Sequence, residues 1–138
     1  MKLIYLICFF LINLFATMSN ANIFELDKLE DPGITTQGES WSFFTDGVMG
    51  GLSEGQAKVN KINDISCYQM TGNVTTENDG GFIQIRTLTN PLIKANQYDG
   101  VYIKVCGNNK NYSLQIRIKL TLAPWQYYSY SLMTKKYG

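Results

Sequence analysis

The stretch that most restricts what this chain can become is Trp41 to Ser53, WSFFTDGVMGGLS. Trp41, Phe43 and Phe44 favour a strand, because aromatic side chains fit a pleated, half-buried surface. The run breaks at Asp46-Gly47, and a second glycine pair, Gly50-Gly51, follows after only Val48 and Met49. Glycines this close together permit positive φ and let another segment or a ligand approach the backbone. The stretch therefore reads as a strand running into a shaped loop. That loop either caps a β-sandwich as a purely structural turn or serves as a binding loop. In either case Val48 and Met49 are free to tuck into a core or to meet a partner.

The rest of the chain follows a β pattern. Residues 22–37 mix Asp, Glu, Pro, Gly and Thr and predict an N-terminal arm with one short strand near 22–26. Ala57 and Val59 alternate with Gln56, Lys58 and Asn60, the period of a half-buried strand. Residues 65–75 predict the next strand, with Tyr68 and Met70 on one face and Gly72 marking a bulge. Glu77 to Gly81 has the composition of a hairpin turn, leading into a strand over 81–87 that Asn90-Pro91 closes. Val101, Ile103 and Val105 alternate with Tyr102, Lys104 and Cys106. After a turn over 107–110, Leu114, Ile116, Ile118 and Leu120 predict the cleanest amphipathic strand of the chain. Pro124 is a break, and Tyr127 to Met133 predicts a last strand. Short strands at this spacing, with Gly and Asn turns and no helical period, predict an all-β antiparallel sandwich.

The N-terminus reads differently. Lys2 precedes an apolar run from Leu3 to Ala16 broken by Tyr5 and Asn13, and Ser19 and Ala21 stand at the −3 and −1 positions of a cleavage after Ala21. A positive start, a short apolar core and small-x-small spacing predict a signal peptide over 1–21, hence an exported protein, periplasmic or secreted. The alternative is a single membrane anchor, for which the run is short and carries an internal Asn. Cys8 lies inside the apolar run with no small residues before it, which excludes a lipoprotein. After cleavage no membrane span is expected.

Charge and composition narrow the chemistry. The 138 residues carry 12 Lys and Arg against 11 Asp and Glu, so loss of Lys2 leaves the two in balance. With no basic stripe visible in that total, nucleic acid is not an expected partner. The chain has no histidine, which removes Ser-His-Asp and Cys-His catalysis and every His-ligated zinc site. Cys67 and Cys106 are too few for a four-cysteine metal site, though in an oxidising compartment they permit one disulfide, with two separate thiols as the alternative. No phosphate-cradling glycine motif occurs. Asp46, Glu54, Glu77 and Asp79 are the carboxylates in loop-like sequence. Paired across a cleft they would suit a glycosidase, and clustered they would suit calcium. Turn chemistry, in which Asp bonds its own backbone, is the simpler account of Asp46 and Asp79. Trp125, Tyr127, Tyr128 and Tyr130 suggest either a sugar-stacking face or ordinary cross-strand pairs, with Tyr128 and Tyr130 on one side and Tyr127 on the other. No catalytic residue, metal or cofactor is assigned.

Phe44, Asp46, Val48-Met49-Gly50-Gly51 and Ser53, followed by Gly72 and by Gly80-Gly81-Phe82 with Arg86, resemble the signature of the complex I intermediate-associated protein 30 family. Gly47 departs from the acidic or polar residue expected in many members. The resemblance covers about 38–138 and implies a galactose-binding-domain-like jelly roll, a non-enzymatic assembly role and a protein partner. A secreted carbohydrate-binding module with a glycan partner is the alternative. The family domain would continue past Gly138, so a fragment lacking its last strands is expected. On this reading the binding positions are Asp46, Val48, Met49, Gly50, Gly51, Ser53, Gly80, Gly81, Phe82 and Arg86, with Arg86 pairing to Asp46 to fix the loop.

Overall fold

A computed structural model describes residues 22–123 and 125–136. The predicted leader lies outside the described residues. Among them, no helix is long and apolar enough to cross a membrane. The described residues are all-β, with six strands in three antiparallel ribbons. They are β1 (Ser42–Thr45), β2 (Glu54–Ile62), β3 (Ile65–Asn73), β4 (Ile83–Arg86), β5 (Asn111–Ile116) and β6 (Tyr128–Met133). The ribbons pair β1 with β4, β2 with β3 and β5 with β6. This is consistent with a β-sandwich, although separate two-stranded ribbons do not trace the connectivity of a jelly roll. The chain divides into two compact units at Asp99 and Gly100.

In the first unit, β2 and β3 form a hairpin about Asn63-Asp64, both at positive φ (49° and 63°). This is the backbone that a two-residue turn between right-twisted strands requires, and Asn and Asp tolerate it better than most residues. The register then runs unbroken from Ile62↔Ile65 to Glu54↔Asn73. Gly72 is therefore not a bulge. It faces Gly55 across the ribbon, and the pair makes a shallow notch on the face shared with Ala57, Val59, Tyr68 and Met70. A Cβ on Gly55 would lie 3.3 Å from the Phe43 ring, and one on Gly72 would lie 3.0 Å from Cδ1 of Ile83. The missing side chains are what let β1 and β4 lie close against β2 and β3.

The turn at Glu77–Asp79 is also not a hairpin loop. It is a single 3-10 turn, and the strand after it, β4, pairs with β1 rather than with β3. Short-range composition identified a turn there but could not choose the partner strand.

The N-terminal arm forms no strand at 22–26, yet it is tied down. Asp27 accepts hydrogen bonds from the Trp41 indole N–H at 2.6 Å and from the Tyr68 hydroxyl at 2.7 Å, and Tyr68 in turn accepts from the Gly33 amide. The Trp41 and Tyr68 rings lie 5.4 Å apart. Burial, and then the bond to Asp27, push the Tyr68 phenol up to about 12.

In the second unit, β5 and β6 pair from Asn111↔Met133 to Ile116↔Tyr128. The alternating 101–106 segment is not a strand, because no neighbouring strand pairs with it among the described residues. The strand expected to reach Leu120 stops at Ile116. Beyond it the chain turns back on itself, with the Thr121 amide and hydroxyl both bonding the Ile118 carbonyl. Cys67 and Cys106 are free thiols, so the disulfide is not formed in this structure.

A loop clamped on a buried carboxylate

The site is built where β1 ends. Thr45 caps the turn that follows, its hydroxyl accepting from the Gly47 amide at 3.1 Å. Asp46–Met49 form one 3-10 turn, and Gly50 ends it at φ 92°. In that region a Cβ is strained, and glycine adopts it at least cost. The Gly51 amide then bonds back to the Asp46 carbonyl at 3.0 Å.

This turn points the Asp46 side chain inward, where it is wholly buried. Four donors meet it. Oδ1 accepts the Ser53 amide at 2.9 Å, while Oδ2 accepts the Ser53 hydroxyl at 2.5 Å, the Gly81 amide at 2.5 Å and the Phe82 amide at 3.2 Å. Ser53 spends its one proton on Asp46 and accepts from the Thr75 amide at 3.1 Å. The Asp46 amide itself donates to the Phe82 carbonyl, and Asn78 reaches from the 77–79 turn to the Gly50 carbonyl. One carboxylate thus joins the 46–53 loop to the 80–82 segment, and Ser53 extends the network to Thr75, just past the end of β3.

The glycines make room for it. A Cβ on Gly80 would lie 2.5 Å from Asp46 Oδ2, and one on Gly51 would press into the same carboxyl group. The glycine spacing seen in the sequence therefore reflects close approach by a side chain of the protein itself.

Burial alone would push the Asp46 carboxyl up. The Ser53 hydroxyl and the amides of Gly81, Ser53 and Phe82 outweigh it and hold the group at about 2, below its ordinary 3.8. Oδ2 takes three of the four donors and Oδ1 the fourth, and the whole group is shut off from solvent. Asp46 is thus out of reach of a substrate or a cation in this structure. Glu54, Glu77 and Asp79 are exposed, and among the described residues no three acidic or cysteine side chains cluster closely enough to hold a metal ion.

Arg86 does not pair with Asp46. Its guanidinium lies over the Phe44 ring, 4.4 Å from the centroid, and the Phe82 ring meets Phe44 edge-on at 6.2 Å. The backbone donors had already satisfied the carboxylate, so the cation found an aromatic face instead. Val48 and Met49, which could have entered a core, stand out from the loop at 69% and 67% exposure, with Leu52 at 52%. The structure thus gathers Gly51, Ser53, Gly80, Gly81 and Phe82 around the Asp46 carboxylate, with Gly50 ending the turn beside them. It leaves Val48 and Met49 facing outward, and Arg86 with Phe44 to the side. Thr75 and Asn78 complete the clamp. No pattern in the sequence marked them, since their role depends on which loops meet.

A family model described as complex I intermediate-associated protein 30 matches residues 30–138. The chain belongs to the complex I intermediate-associated protein 30 family. Membership implies a function related to complex I assembly, and with it protein partners. A search of curated proteins found no match, and a search of solved structures found none. In this family member the residues that carried the resemblance are largely those that build the clamp.

Proposed function

We propose that this family member is a non-enzymatic binding module that engages a protein partner of the assembly type through the 46–53 loop. The observation that carries the reading is the outward display of Val48, Met49 and Leu52 on a turn whose anchor is fully buried. A loop ordered before it meets its partner loses little conformational entropy on binding, and exposed aliphatic and Met side chains supply apolar area. The engaged carboxylate supports the non-enzymatic part of the reading, because Asp46 is wholly buried and held by four internal donors, out of reach for acid–base work.

The Lys2 to Ala21 pattern supports a further element of the proposal, that the chain is exported and meets its partner outside the cytoplasm. A photo-crosslinker placed at Val48 in the native cell should yield a discrete protein adduct. The Val48→Asp/Met49→Asp variant should fold with stability within about 0.5 kcal/mol of the parent and recover at least about tenfold less of that protein. Equal recovery by the variant would remove the loop from the interface.

A further inference from the structure

The balanced total charge hides a division along the chain. Residues 100–138 contain Lys104, Lys110, Arg117, Lys119, Lys135 and Lys136 and no Asp or Glu at all, and all six cations are exposed. The acidic residues lie in the first unit. A one-signed region of this kind creates a field that the whole-chain sum does not reveal.

The same unit carries three strongly exposed apolar side chains at one place, the 117–127 connection between β5 and β6. Leu120 is 82% exposed, Leu122 94% and Trp125 77%, and Arg117 and Lys119 lie in the same connection. The connection is held by its own bonds. Arg117 donates to the Ala123 carbonyl at 3.0 Å, and the Gln126 side-chain oxygen accepts from the amides of Leu122 at 2.7 Å and Ala123 at 3.1 Å. Its polar groups are turned onto one another, while its large apolar groups face outward.

We propose that the β5–β6 tip is a peripheral attachment site for an anionic lipid surface. Leucine and tryptophan side chains enter the headgroup boundary, where an indole is favoured and aliphatic groups leave water. Arg117 and Lys119 beside them are drawn to the negative surface, each adding affinity that salt screens, whereas Lys110, Lys135 and Lys136 lie at the other end of the ribbon. Trp125 offers a face to a base as well as to a headgroup, but Leu120 and Leu122 beside it offer none, so the set suits a lipid surface better than a single-stranded nucleic acid.

The test is co-sedimentation of the full chain with vesicles of phosphatidylcholine alone and of phosphatidylcholine with phosphatidylglycerol, at low and high salt. Binding is expected only to the anionic vesicles and is expected to fall at high salt. Leu120→Ser/Leu122→Ser should reduce it at least about tenfold without changing the circular dichroism, because neither side chain contributes to a core. Lys119→Glu should weaken it by roughly tenfold or more. Absence of binding to anionic vesicles would overturn the proposal. So would binding that survives the leucine changes, or preferential binding of an oligonucleotide or an acidic protein in competition with the vesicles.

Discussion

In the unit that ends at Asp99, backbone segments up to 36 residues apart converge on one buried carboxylate. In the unit that begins at Gly100, the β5–β6 connection is fixed by side chains bonding carbonyls and amides within six residues of themselves. Both arrangements display apolar side chains on an ordered loop. They differ in what the order costs to remove. A buried charge whose donors come from two separate segments cannot lose one of them cheaply, because the desolvated group is left uncompensated. An exposed local turn that opens exchanges its bonds for bonds to water.

The largest effect should come from Asp46→Asn. The change keeps the shape, removes the charge and turns an amide donor toward donors. We expect the melting temperature to fall by more than about 10 °C, with amide exchange rising across β1 to β4 and staying unchanged in β5 and β6. The wild-type protein should show the same weakness in acid. The Asp46 carboxyl titrates at about 2 when folded against an ordinary 3.8, so its contribution is complete above the higher value and is lost as pH falls through the lower one. Uniform loosening of both units would dissolve the contrast between them.

A smaller effect separates crowding from backbone strain within the clamp. Gly80 has an ordinary φ of −78°, but a Cβ there would strike the buried carboxyl group, so Gly80→Ala should cost about 3 kcal/mol. Gly50 has open space around it and φ of 92°, so Gly50→Ala should cost only about 1–2 kcal/mol of strain. Denaturant melts of the two variants measure this. A reversed order would mean that turn conformation, rather than proximity to Asp46, governs the loop.

The smallest effect compares two arginines, one from each unit. Arg86→Ala removes the cation over Phe44 and should cost about 0.5–1 kcal/mol, leaving the Asp46 loop ordered. Arg117→Ala removes an exposed bond to a carbonyl and should stay within about 0.5 kcal/mol. Double-mutant cycles with Phe44→Leu would show coupling for the first and none for the second.

Alternation and turn chemistry carried the sequence a long way. The aromatic run before Asp46-Gly47, the 54–62 and 65–73 strands and the last strand near 128–133 were legible because each depends on side-chain period and nearby turn residues. The 101–106 segment shows why period alone is insufficient. Its alternation is real, but a strand exists only where a neighbour accepts its hydrogen bonds. The glycines at 50, 51, 80 and 81 announced close approach without saying what approached.

The sequence by itself determined the all-β class, the absence of histidine chemistry and the positions of the glycine turns, since these follow from composition and local backbone freedom. Only the tertiary structure decided that Asp46 is the approaching group, that Arg86 rests on Phe44, and that Val48 and Met49 face outward. Each of these depends on which donors, separated by tens of residues, reach a buried charge first, and no local pattern encodes that competition.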